Sequence, residues 1–123
     1  MSFESELFDW IDRSLAEPID KSVIAFSFDL YEPYGIELIG SSLFDLNDKD
    51  WACSEDFVPS KRGIDIPEGV CSGNRQDCLQ TMTAFIKTYL ASKRPGANVL
   101  ASAKAVAIGF VDGNLEIISH HAT

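Results

Sequence analysis

Two turn signals, Glu32-Pro33-Tyr34-Gly35 and Asp112-Gly113, are each flanked by residues that alternate between apolar and polar. A chain with two such hairpins must build a sheet and cover its apolar face. Residues 22–31 put Ile24, Phe26, Phe28 and Leu30 on one face, with Ala25, Ser27, Asp29 and Tyr31 on the other. Pro33 suits the first corner of a type I turn, and Gly35 suits a left-handed position after it. The second strand then covers about 36–44. Pairing Glu32 with Ile36 sets Leu30 against Leu38, Phe28 against Gly40 and Ile24 against Phe44, so apolar residues meet on one face. The outer face carries Asp29, Tyr31, Glu37 and Ile39. In the second hairpin, strands 104–111 and 114–119 put Phe110 against Leu115 and Ile108 against Ile117.

The cover comes from two amphipathic segments. Phe3, Leu7, Phe8, Trp10, Ile11 and Leu15 fall on one arc at helical spacing, with Ser2 placed to cap the start and Pro18 to stop the chain. Cys78, Leu79, Met82, Phe85, Ile86, Tyr89 and Leu90 repeat the pattern over 74–94, with Asn74 as the cap and Pro95-Gly96 as the stop. Residues 97–103 suit a single helical turn. Residues 45–73 are irregular but contain Trp51, Phe57 and Val58, so an ordered loop with one short strand is expected there.

The predicted order is α-β-β-loop-α-β-β. It implies an α+β fold with a single antiparallel sheet of four or five strands and two helices on one face. Residues 1–123 form a single domain, because no linker or repeat divides them. Hydrophobic residues make up 46% of the chain, enough for one core without staples. The start, Met1-Ser2-Phe3-Glu4, lacks the basic and apolar pattern of a signal peptide. No run approaches the roughly 18 apolar residues of a membrane span. These features lead to the expectation of a cytoplasmic protein with no membrane partner. Three cysteines at irregular spacing, Cys53, Cys71 and Cys78, suggest reduced, packed thiols rather than a disulfide framework.

The formal net charge is −9, and it is uneven. Residues 1–60 hold 14 acids and 3 bases, a net −11, while residues 61–123 hold 5 acids and 7 bases, a net +2. Such a field disfavours nucleic acid and favours a basic partner.

Residue types argue against most chemistry. Residues 1–119 contain no histidine, so a nucleophile–base triad would rely on His120 or His121 at the chain end. Those two histidines and the absence of Cys-x-x-Cys also argue against zinc. The acidic run Asp45–Asp50 has Lys49 and Asp50 where an EF-hand loop needs other residues. Gly63, Gly69 and Gly73 match no phosphate-binding motif. No cofactor is expected. Asp29 and Glu37, as diagonal neighbours about 7–8 Å apart, would suit a small hydrolase with paired carboxylates.

Binding is the remaining class. Asp29, Tyr31 and Glu37 on the first hairpin form an acidic surface with aromatic anchors, which Asp45, Asp48, Asp50, Trp51, Glu55 and Asp56 extend along the loop. Trp51 fits equally well as a plug beneath its loop. The expected function is a non-catalytic protein-binding domain, in concrete form an acidic immunity protein that inhibits a basic bacterial toxin. The alternative is a homo-oligomeric structural or adaptor domain, a homodimer for example, that joins through Val23, Ile39, Val111 and Ile118 on the outer faces.

Overall fold

The computed structural model describes residues 2–71 and 73–120. The chain runs α1 (Phe3–Leu15), β1 (Ala25–Tyr31), β2 (Gly35–Ser41), a 3-10 turn (Lys49–Cys53), β3 (Gly63–Asp65), α2 (Arg75–Ala91), α3 (Pro95–Ser102), β4 (Ala105–Phe110) and β5 (Leu115–His120). The five strands form one sheet in the order β3-β2-β1-β4-β5. The fold is therefore α+β, but the sheet is mixed rather than antiparallel, because β1 and β4 run parallel. The path through β2, β3, α2 and α3 provides the long crossover that a parallel pair requires. Two elements, β3 and α3, extend the expected order.

Both cap assignments hold. Ser2 Oγ accepts from the Ser5 N–H at 3.2 Å, and Asn74 Oδ1 accepts from the Asp77 N–H at 2.9 Å. Pro95-Gly96 was expected only to stop α2, but Pro95 also starts α3. Proline has no N–H to lose in a first helical turn. Gly96 is required there, since a Cβ at that position would fall on the Tyr89 hydroxyl.

The helices cover one face of the sheet. Phe26, Phe28 and Leu30 of β1, Ile36 and Leu38 of β2, and Val106, Ile108 and Phe110 of β4 share a core with Leu7, Trp10 and Ile11 of α1 and Met82, Ile86 and Tyr89 of α2. The face assignment in the first hairpin holds for Phe26, Phe28 and Leu30, but Ile24 and Phe44, expected on the same face, pack with Trp51 on the other, and the register is two residues tighter than expected. Tyr31 pairs with Gly35, Leu30 with Ile36, Phe28 with Leu38 and Phe26 with Gly40. A shift of two preserves the faces and changes every partner. No glycine among the described residues has a positive φ, so Gly35 does not take the left-handed position expected of it; the Glu32–Pro33 bond is cis.

The second hairpin departs further. Near its turn Gly109 pairs with Leu115 and Ala107 with Ile117; a bulge between Val106 and Ala107 then restores the pairs Val106–Ser119 and Ala105–His120. Ile118 is the extra residue in β5. Leu115 and Ile117 consequently pack on the face away from the helices, against the expected register, while Ile118 packs toward the main core.

The second face is covered in part. Ala25, Ala105 and Ala107 leave a shallow depression, which Trp51 fills at 4% exposure, with Phe44 edge-on to it at 5.3 Å. The loop is thus pinned to the fold. Trp10 Nε1 also donates to the Lys61 carbonyl at 2.8 Å, tying α1 to the stretch before β3.

The cysteine expectation is overturned. Cys71 and Cys78 form a disulfide that joins the loop after β3 to the first turn of α2, and Cys53 is free and exposed. Sequence separation alone gives no view of the chain reversal that brings Cys71 beside Cys78. Among the described residues, no helix is long and apolar enough to cross a membrane.

Candidate functional site

Beyond the edge of Trp51, the second sheet face is open and forms a groove of about 420 Å³. Asp29 and Glu37 make its floor. One wall is the 3-10 turn with Lys49, Asp50, Ala52 and Cys53, followed by Glu55; the other is the β4–β5 loop with Val111, Asp112 and Gly113. The floor is low because Gly109, opposite Asp29 on β4, has no side chain.

Asp29 and Glu37 are direct cross-strand partners rather than the expected diagonal neighbours, a consequence of the tighter turn. Arg62 engages Glu37 through Nε at 2.8 Å and Glu55 through both terminal nitrogens at 2.9 and 2.5 Å. These bonds hold the Glu55 carboxyl below its usual range and push the Arg62 guanidinium up. Among the described residues Asp29 has no ion-pair partner. Its Oδ1 accepts from Ser27 Oγ at 2.7 Å. Burial lifts its carboxyl from 3.8 to about 6, opposed by the Ser27 bond; the charges of Glu37 and Glu55 add to the rise, and that of Arg62 opposes it.

The far wall is braced by α2. Arg75 pairs with Asp112 and, at 3.3 Å, with Glu32, and its guanidinium carbon lies 4.2 Å from the centre of the Phe110 ring. Lys49 Nζ, from the near wall, donates to the Gly113 carbonyl at 3.3 Å and so crosses the groove.

The structure gathers four of the nine sequence-derived residues, Asp29, Glu37, Asp50 and Glu55, in the groove. The other five lie elsewhere. Tyr31 shares the face of Asp29, but its ring lies over Gly35 at the hairpin end. Asp45 and Asp48 cap local turns, accepting from the N–H groups of Asn47 and Asp50. Asp56 clasps its own loop, accepting from Ser42 N–H, Ser42 Oγ and Ser54 Oγ at 2.7, 2.8 and 2.7 Å. Trp51 is 4% exposed and packs on Ala25, Ala105 and Ala107, so it plugs the fold rather than projecting from it.

Of the residues assigned to an oligomer surface, Ile39 is fully buried, Val23 and Ile118 pack against the main core, and Val111 alone is strongly exposed, at 65%. His120 ends β5 with its ring 5.4 Å from Phe44, and His121 lies outside the described residues.

Sequence reasoning missed Arg62, Lys49, Cys53 and the 111–113 wall. The basic pair Lys61-Arg62, which directly follows the acidic first 60 residues, was the available signal for Arg62. Comparison of the chain with models of protein families, with curated proteins and with solved structures finds no match.

Proposed function

We propose that this chain is a non-catalytic protein-binding domain that receives a cationic side chain of a basic partner in the groove, in concrete form an immunity protein that blocks a basic toxin. The observation that carries the reading is Asp29, a part-buried carboxylate on the groove floor that has no ion-pair partner among the described residues, although Arg62 and Lys49 line the same groove. An uncompensated carboxylate held away from water is costly. A guanidinium or ammonium entering the groove relieves that cost. Arg62 makes no hydrogen bond to Asp29; its three side-chain hydrogen bonds go to Glu37 and Glu55. The net charge of −9 adds long-range attraction for such a partner.

The compartment we propose is the cytoplasm. The Cys71–Cys78 bridge is the feature that tests this choice, because a reducing compartment holds exposed thiols apart, whereas both of these cysteines are buried. Alkylation of freshly lysed cells followed by mass measurement reads whether the pair is oxidised in place.

The binding test is affinity capture from native cell extract at low and moderate salt. The control bait carries Asp29→Asn, Glu37→Gln, Asp50→Asn and Glu55→Gln. One basic protein captured by the native chain and lost with the control supports the reading. Capture that is identical for both baits, or that involves no basic protein, ends it.

A homo-oligomer is the second reading, and β5 favours it: among the described residues this six-residue strand at the sheet edge has no neighbour on its outer side. Light scattering after size exclusion discriminates. A dimer insensitive to salt supports the oligomer, and a monomer supports the basic partner.

A further inference from the structure

The exposed large apolar side chains among the described residues are Leu43, Leu46, Val58 and Val111. Two of these four line cavities, and a third lies in the same segment as one of them. Val111 lines the groove, Leu43 lines a second cavity of about 280 Å³, and Leu46 follows on the same turn. The second cavity is formed by residues 43–51, with Phe44 and Trp51 as apolar lining and Asp45, Asp48 and Asp50 as acidic lining. Asp50 lines both cavities, which makes them neighbours.

This composition restricts the occupant. Apolar side chains at 57% exposure, as Leu43 and Leu46 are, cost free energy in water that a small ion or a polar ligand does not recover. Three carboxylates around the cavity repel an acidic ligand and attract a basic one. An apolar cavity with an acidic rim, next to a groove whose floor carries an unpaired carboxylate, fits a ligand that carries both features side by side. Protein interfaces have this anatomy, with an apolar anchor seated in a pocket and charge arranged around it.

We propose that the two cavities form one bipartite docking surface for a segment of a basic protein that presents an apolar or aromatic side chain next to a cation. The apolar side chain enters the 43–51 cavity, and the cation lies against Asp50 and Asp29 in the groove. This inference rests on the groove reading above and adds the second half of the ligand.

The probes are three capped tripeptides: arginine-tryptophan-arginine, arginine-serine-arginine and glutamate-tryptophan-glutamate. Each is titrated into the uniformly 15N-labelled chain, and backbone amide shifts are followed. The first peptide is expected to shift amides both in residues 43–48 and around Asp29 and Glu37, with a Kd about tenfold below that of the serine peptide, the effect of burying an indole. The serine peptide shifts the groove amides alone, and the acidic peptide shifts neither set. Leu43 and Leu46 are exposed, so a Leu43→Ser, Leu46→Ser double variant keeps the fold; it brings the tryptophan peptide to the level of the serine peptide. Equal affinity of the two basic peptides, with shifts confined to the groove, overturns the bipartite surface and leaves the groove reading standing. Binding of the acidic peptide like its basic counterpart, or shifts confined to residues 43–48, also overturns it. No groove shifts with either basic peptide removes both readings.

Discussion

Asp29 and Glu37 stand directly opposite each other on β1 and β2, and among the described residues only Glu37 is held by a cation. Two neighbouring acids thereby acquire different roles. Glu37 is part of an arginine clasp that fastens the sheet to the loop. Asp29 is left as an available acceptor in a part-buried site. The asymmetry arises because Arg62, next to β3, approaches β2 and not β1.

The first prediction concerns stability against pH. The Asp29 carboxyl titrates near 6 in the folded chain, against 3.8 as its ordinary value. The folded chain thus binds this proton more tightly than the unfolded chain does. The stabilisation from that proton is fully present below about pH 3.8 and is lost as pH rises through about 6. Asp29→Asn keeps the Ser27 bond and is always neutral. Its urea midpoint should match that of the native chain near pH 4. By pH 7 it should exceed the native midpoint by the equivalent of about 1–2 kcal/mol. A gap that is flat with pH, or of opposite sign, refutes this account of Asp29.

Arg62→Met tests the electrostatics of the floor. The guanidinium lowers the Asp29 titration through space, while Glu37 and Glu55 raise it. Without Arg62 the two glutamates stand unopposed, so the Asp29 midpoint should move above about 6. Carboxyl 13C shifts followed through a pH titration give this directly. A fall, or no change, means that Arg62 does not act on Asp29.

The junction of α1, α2 and α3 supports a third prediction. The Tyr89 hydroxyl, fully buried, donates to Asp12 Oδ1 at 2.5 Å, and Arg94 holds Asp12 Oδ2 at 2.8 Å. Burial pushes the Tyr89 phenol up, and its bond to Asp12 adds to the rise. Tyr89→Phe should cost about 1–2 kcal/mol, because the Asp12 carboxylate loses a buried donor. Gly96→Ala places a Cβ on the same hydroxyl and should cost about 1–3 kcal/mol by overpacking. In the double variant the second cost should shrink, since the hydroxyl in the way has gone. Simple additivity in denaturant unfolding argues against this contact.

The disulfide gives a fourth prediction. Cys71 and Cys78 are 7 residues apart and close a short loop. Replacing both with serine should cost about 2–3 kcal/mol, mainly through greater freedom of the unfolded chain. The bridge sits at the start of α2, where Arg75 braces the Asp112 wall of the groove. Amide exchange in residues 111–113 should therefore quicken in the variant by more than in α1. Equal effects in the two regions would mean that the bridge does not support the groove wall.

Much of the architecture was legible from local patterns. The two long helices with their caps, the two hairpins and the apolar face of β1 all follow from periodicity and turn chemistry, which act over a few residues. The groove was half legible. Asp29 and Glu37 were placed on one outer face by alternation, and Asp50 and Glu55 by the acidity of the loop. Lys49 and the 111–113 wall were not, because they meet across 64 residues and no local pattern encodes that contact.

The sequence by itself determined which segments are helix or strand and which side of β1 and β2 faces the core, because side-chain period and backbone propensity are local properties. Only the tertiary structure decided the parallel pairing of β1 with β4, the two-residue register shift, the bulge at Ile118 and the seating of Trp51 on three alanines. Each of these depends on long-range packing, where several strand directions and registers satisfy the same alternation. The geometry of the covering helices and the volume of facing side chains select among them.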